Sequence, residues 1–332
     1  TPTGFQPVIA HGSVNASGGN YIYMAIRRGG MNTPTSASDV FAIDTGDGNG
    51  SSTSPEFVSG FPVDLALLRP PGSTANNNFY SRLTGNKYLS ANSTASETTD
   101  ASDYRFDSNT GWYFGSTTWT SWMWKRAKGY FDVVAYSGTG SARTISHNLG
   151  VAPEMMWVKR RDATGFWSVY HKGVNGGSSP EDYYLVLHDN NAQFDDATIF
   201  NDTAPTSSVF SVGTHNRVNN SSGTYIAYLF ATAPGVSKVG SFTSDGSDMT
   251  IDCGFTSGAS FVLLKRYDDT DDWFIFRDIA SGNDKRLKLN TTGAEATGSD
   301  NIDPDNSGFI INNNILGGSG RDFIFYAIAA IS

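Results

Sequence analysis

Apolar positions in this chain come in short runs separated by Gly-, Ser-, Thr- and Asn-rich stretches, and one of these runs recurs. Tyr225-Ile-Ala-Tyr-Leu-Phe-Ala231 is matched by Tyr21–Arg27, Trp119–Lys125 and Phe323–Ala329, at spacings of 98, 106 and 98 residues. A period near a hundred residues marks a repeat architecture. Each copy is dense in aromatic and aliphatic residues without polar alternation, the composition of a strand buried on both faces. In the later repeats the run follows a second apolar segment, Val209–Val212 or Gly308–Ile311, and so closes its unit.

Other runs fill in the repeat. Its first unit has candidate strands at Val40–Ile43, Val63–Arg69, Phe79–Leu83, Tyr88–Ala91, Tyr104–Phe106, Trp112–Phe114 and Trp119–Lys125. Its second has them at Phe131–Tyr136, Thr144–His147, Glu154–Arg160, Phe166–Tyr170, Tyr183–Leu187, Thr198–Phe200, Val209–Val212 and Tyr225–Ala231. In the third, Phe261–Arg266 answers Met155–Arg160, and Trp273 lies eight residues beyond Lys265 as Trp167 lies eight beyond Lys159. This rhythm predicts an all-β fold of tandem antiparallel β-sandwich, jelly-roll-like repeats. The expected division is residues 1–30 as the C-terminal part of an incomplete repeat, 31–128 as a divergent Trp-rich repeat, 129–235 as a second and 236–332 as a third. The pair Gly4–Ala10 and Tyr21–Arg27 is too little to bury a face alone. It is expected to lean on the next repeat, on upstream chain, or on a second copy by strand addition through residues 4–28. The start at Thr1 is read as a processed end or a piece of a longer chain.

Composition agrees with this reading: 36 Gly, 17% charged residues and no window with a convincing amphipathic helix. The net charge of −9 argues against nucleic-acid binding, which needs a basic footprint. No run of eighteen apolar residues predicts a membrane-spanning helix. The basic groups Arg27-Arg28, Lys125-Arg126 and Lys159-Arg160-Arg161 sit at strand ends and read as a solvated rim. The single cysteine, Cys253, excludes an intrachain disulfide and reads as a buried structural thiol.

Candidate chemistry is sparse. The histidines His11, His147, His171, His188 and His215 form no metal or nucleophile motif. Asp268, Asp269, Asp271 and Asp272 crowd one predicted hairpin tip, where carboxylate oxygens suit Ca²⁺, but a polar turn on a long hairpin is the favoured reading, since the second unit has Asp162-Ala-Thr-Gly165 there with one carboxylate. Asp303-Pro-Asp-Asn-Ser-Gly308 opens like a calcium loop yet has Asn314 at its twelfth position. Trp112, Trp119, Tyr183 and Tyr184 are candidates for stacking on sugar rings, with core packing as the alternative. Among 32 acidic residues no pair stands out as the two carboxylates of a glycosidase. Asp64 and Glu154 match each other ahead of a basic-ended strand and suit edge protection or hairpin register.

The strings Phe131–Gly140, Ile145–Arg160, Trp167-Ser-Val-Tyr-His171 and Pro205–Val212 resemble a repeat of unknown function found in virion proteins of tailed phages from aquatic habitats, often in tail-fibre or other appendage proteins. The resemblance covers the second unit well, the third fairly and the first weakly, since the first lacks the His-Asn-Leu-Gly pattern. It implies a structural or adhesive part of a virus particle, with no catalytic residue to carry over. The expectation is therefore a non-enzymatic, extracellular virion protein without a cofactor, calcium aside. It would self-associate, contact other virion proteins and attach to host-surface glycan. A carbohydrate-active depolymerase and a self-assembling filament or surface-layer subunit are the alternatives.

Overall fold

The computed structural model describes residues 11–14, 16–24, 31–51, 54–100, 104–115 and 118–331. The chain divides into two units, residues 1–31 and residues 32–332. In the first, Tyr21 organises a local knot: its hydroxyl accepts from Ala16 N–H (2.6 Å) and donates to Gly12 O (3.1 Å). Tyr21–Met24 has no regular secondary structure, which corrects the expected strand over those residues. Ala25–Arg27, Arg28 and the predicted strand in Gly4–Ala10 lie outside the described residues.

The second unit is all-β and contains one strand order three times. In module 1 a lead strand, Phe41–Thr45, pairs with the closing strand Thr120–Trp124. The closing strand pairs in turn with a central strand, Leu65–Arg69, and Asn78–Ser81, Lys87–Ser90 and Thr98–Thr99 follow outward. Module 2 runs Phe131–Ser137, Thr224–Phe230, Met155–Arg160, Ser168–His171, Tyr183–Val186, Phe194–Asp195. Module 3 runs Ser237–Asp245, Ser319–Ala329, Ala259–Arg266, Trp273–Arg277, Lys285–Lys288. Pairing is antiparallel throughout, as in Val133↔Tyr228 and Trp157↔Tyr228. The last strand of each module thus sits inside its sheet, between the first and the third, and this placement removes both its edges and both its faces from water.

The two faces of each large sheet have different destinations, because successive side chains alternate across a strand. In module 2, Met156, Val158, Ala227 and Leu229 pack on Ile145, Phe210 and Val212 of a small sheet, Arg143–Ser146 with Val209–Val212. Module 1 does the same with Ala66, Leu68 and Met123 against Phe57 and Trp112. The opposite face, Trp157, Ile226, Tyr228 and Phe230, enters a core shared with Leu67, Trp122, Trp124, Phe261, Leu263 and Tyr326. Rings from every pair of modules touch there. Phe79 lies 5.5 Å from Trp157, Phe230 lies 5.1 Å from Tyr326, and Trp124 lies 5.8 Å from Phe261. Each such buried side chain contributes about 1.5–3 kcal/mol. The three expected sandwich domains are therefore three modules of one body. Their boundaries are tight turns at Gly129 and Gly235, whose φ of 74° and 71° favours glycine, and not flexible linkers.

One predicted strand is a helix. Asp196 caps Ala197–Phe200 by accepting from Thr198 N–H (2.9 Å), and Asn201 ends it in the left-handed region, so local capping overrides the β-favouring Thr-Ile-Phe sequence. Among the described residues no helix is long and apolar enough to cross a membrane.

Three equivalent junctions close the modules into a ring. Lys159 Nζ of module 2 donates to Thr94 O of module 1 (3.1 Å), and Lys265 Nζ of module 3 donates to Asn190 O of module 2 (3.1 Å). Arg69 of module 1 donates to Thr292 O (2.9 Å) and Gly293 O of module 3. Six residues further on, the backbone N–H groups of Gly165, Asp271 and Ala75 donate to Thr94, Asn190 and Thr292 O at 2.9, 2.8 and 3.0 Å. At the eighth, Trp167 and Trp273 donate from Nε1 to Ser90 O and Val186 O (both 3.0 Å). Module 1 has Asn77 there, donating to Leu289 O (2.8 Å). The solvated-rim expectation is corrected at Lys159, which is fully buried like Arg69 and Lys265. Desolvation pushes both lysine ammoniums down to about 8. Arg126 is likewise no rim residue; its guanidinium pairs with the buried Asp132 across the boundary of modules 1 and 2.

Candidate functional site

The residues singled out in the sequence scatter over the body, and most serve its construction. Asp268 accepts both arms of the Arg266 guanidinium (2.8 and 3.0 Å) and Asp322 N–H (3.2 Å). Asp162 does the same with Arg160 and Thr224 N–H, so this pair recurs as a lock between central and closing strands. Asp269 is exposed, 3.4 Å from Arg266. The Asp271 carboxyl, raised by burial, accepts from Asp272 N–H, and Asp272 pairs with Lys288 (2.6 Å) and Asn290. The four carboxylates thus face different partners. Among the described residues no group of three or more His, Cys, Asp or Glu side chains is arranged to hold a metal. In the Asp303–Gly308 turn, Asp305 accepts from Ser307 N–H and Oγ, a closure made by the chain itself.

Asp64 and Glu154 play matching roles. Each accepts the first N–H beyond its closing region, from Arg126 (2.8 Å) and Thr232 (2.7 Å), and each is paired with a cation, Arg82 and Lys172. Histidines are also structural. His171 is fully buried between Gly173 N–H, donating to Nδ1 (3.0 Å), and Phe325 O of module 3, reached from Nε2 (3.3 Å). Desolvation lowers it to about 3, so it is neutral. His147 bridges Leu149 N–H and Thr206 O. Cys253 is buried and its thiol is pushed up to about 12, too high for a reactive thiolate at neutral pH.

The candidate stacking aromatics divide. Trp112 is fully buried, with Phe106 on one ring at 5.0 Å (12°), Phe57 at 5.4 Å (27°) and its N–H on Ser121 Oγ (2.9 Å). It has no face for a sugar. Trp119 is half-buried against Phe114 (5.4 Å), and Tyr183 is half-buried against the shared core. Tyr184 is buried as a ring, but it belongs to a surface cluster that the sequence did not reveal.

That cluster lies on module 2. Arg217, on the four-residue helix Asn216–Asn219, lays its guanidinium over Phe166, 4.1 Å from the ring centre, and 5.6 Å from the Tyr184 ring. It donates to Tyr184 Oη (2.8 Å). Phe194 stacks on Tyr184 at 5.4 Å (25°), and His188 meets Phe166 edge-on at 4.7 Å. Phe166 and Phe194 are 37% and 40% exposed. Burial lowers His188 to about 4, leaving it neutral, with Trp167 N–H on its Nδ1 (3.4 Å). The residues come from four separate segments, and one sequence signal is that Arg217 has Asn314 as its counterpart in the module 3 helix. By contrast, a pocket of about 460 Å³ at the seam of modules 1 and 2 is lined by charges already engaged in ion pairs, Lys87 and Arg161 both on Glu97 (2.9 and 2.7 Å) and Asp162 on Arg160 (3.0 Å).

Comparison with curated proteins finds no match to the chain. One family model spans residues 36–331, taking in all three modules as a single unit, and the chain belongs to that family, described as a domain of unknown function (DUF7483).

Proposed function

We propose that the protein is a non-enzymatic structural component of a tailed-phage particle, a tail- or head-fibre or other appendage part, which acts by assembly and by attachment to host-surface glycan. The observation that carries this reading is the set of junctions: the polar side chains that recur between modules, Arg69, Lys159, Lys265, Asp64, Glu154, Asp162 and Asp268, all hold strands or modules together. Recurrent chemistry here is architecture. The resemblance of Phe131–Gly140 and Ile145–Arg160 to virion repeats supplies the setting, and the aromatic surface of module 2 suits attachment. Contacts with other virion proteins, and self-association through residues 4–28, belong to the same reading. Peptide mass spectrometry of purified particles tests it; particles lacking peptides of this chain would overturn it. Release of oligosaccharide from capsule or lipopolysaccharide by purified protein would overturn the non-enzymatic part.

A further inference from the structure

The Arg217 cluster departs from the repeat at Phe166, Phe194 and Arg217, while its Tyr184 is kept as Tyr88 in module 1. Asn76, Tyr88 and Thr98 stand in module 1 where Phe166, Tyr184 and Phe194 stand in module 2, while module 3 has Asp272 and Arg286 in place of Phe166 and Tyr184. None of these side chains is needed for a junction. Among the described residues the guanidinium makes one hydrogen bond, to Tyr184, and no ion pair. One face of it is fixed on Phe166, so the remaining N–H groups form an oriented fork that has given up part of its hydration. A planar fork of this kind matches a carboxylate in bidentate fashion. Two large apolar rings, Phe166 and Phe194, remain more than a third exposed on either side of it in the contact chain Phe166–Arg217–Tyr184–Phe194. Rings so placed accept a flat C–H surface. Asp189 and Asp196 lie close enough to act electrostatically on His188 and Arg217, which disfavours polyanions such as nucleic acid or polyphosphate and leaves room for a single negative charge.

We infer that this surface binds a carboxylate-bearing saccharide of the uronic- or sialic-acid class, with the carboxylate on the Arg217 fork and an apolar sugar face on Phe166 or Phe194. The inference rests on the attachment reading and names its ligand class. It concerns a single surface, so the presence of the chain in virions and the binding of acidic sugar succeed or fail separately.

The test uses the purified full chain and ligand-observed NMR with four probes: sialyl-lactose, a glucuronic-acid disaccharide, neutral lactose and polyglutamate. At least one acidic sugar should bind, and lactose should bind about tenfold more weakly or not at all. Arg217→Gln should weaken acidic-sugar binding by about tenfold or more, the effect of losing a charge-assisted bidentate contact. Phe166→Ala should weaken it severalfold, and Asn314→Ala in module 3 should leave it unchanged. Thermal melts verify that each variant is folded, and the Phe166 variant serves if the Arg217 variant is not. Absence of acidic-sugar binding, equal binding of lactose, equal binding of polyglutamate, or undiminished binding by both Arg217→Gln and Phe166→Ala would each overturn the inference.

Discussion

Lys159 and Arg217 are cations of the same module in opposite settings. Lys159 is fully buried, donates to Thr94 O of the neighbouring module and to Arg160 O of its own, and has counterparts in Lys265 and Arg69. Arg217 is half-buried, lies on exposed aromatic rings, and is replaced by Asn in the module 3 helix. The difference teaches how to read this repeat. A charge that recurs holds strands or modules together, and at the ring junctions its desolvation is tolerated because carbonyl oxygens and aromatic burial surround it. A charge that appears once can be free of that duty, and Arg217 is the one that the proposed sugar surface uses.

The largest test of the buried side of this contrast is Trp157→Ala in the shared core. It should cost about 3–5 kcal/mol, as large-to-small substitutions at fully packed sites do. Because the core is common to three modules, urea unfolding of residues 32–332 should remain a single transition at a lower midpoint. A residual transition at the wild-type midpoint would show that the modules are independent after all. Next in size is Asn77→Ala, which strips the donors from Leu289 O and Lys288 O at the one junction that lacks Trp. Leaving those carbonyls unsatisfied should cost about 1–3 kcal/mol, read by the same denaturation.

Lys159→Met sharpens the comparison through pH. Replacing a buried cation by an apolar chain of similar length should change stability at pH 7 by about 1 kcal/mol or less. In the native protein the two lysines sit at about 8 against an unfolded value of 10.5, so between these values the unfolded chain holds more protons and stability rises with pH. The opposite sign applies to Cys253 and the buried phenols. Burial raises Tyr130, Tyr228 and Tyr326, and the Tyr130 and Tyr326 hydroxyls lie beside each other without an aligned hydrogen bond. Above about pH 9–10 the unfolded chain loses those protons first, and stability falls. Denaturation midpoints should therefore peak near pH 9–10, and Lys159→Met should flatten the rise towards that peak. On the acid side His171, at about 3, and His188, at about 4, must charge on unfolding, so stability is lost as pH falls below 6.5. The smallest effect belongs to Arg217→Gln: a stability change within about 0.5 kcal/mol, as for a surface residue outside the core. A loss of several kcal/mol there would place Arg217 with the ring-closing charges and erase the contrast.

Much of the fold was legible in the residues themselves. Strand existence followed from apolar runs such as Val209–Val212, whose period of two is local, and the equivalence of Lys159 and Lys265 followed from their shared eight-residue distance to Trp. The misread residues were those whose outcome rested on a short-range cap that competes with strand propensity or on distant chain. Thr198–Phe200 has β-favouring side chains, but Asp196 and Asn201 capped it into a helical turn. Trp112 has the same composition whether it faces a sugar or Phe57 and Phe106, and nothing near it in sequence distinguishes the two. The Phe166–Arg217 contact joins residues fifty-one positions apart through the pairing of strands between them.

By itself, then, the sequence determined the all-β class, the hundred-residue period and the doubly buried character of the Tyr225–Ala231 run, because side-chain alternation and turn chemistry act over a few residues. Tertiary structure alone decided that this run lies in the middle of its sheet, that three modules share one core in a closed ring, and that Lys159 is buried while Arg217 is not. Those outcomes depend on which faces meet across separations of tens to hundreds of residues, and burial and desolvation, which set the chemistry of a charged group, exist only once they have met.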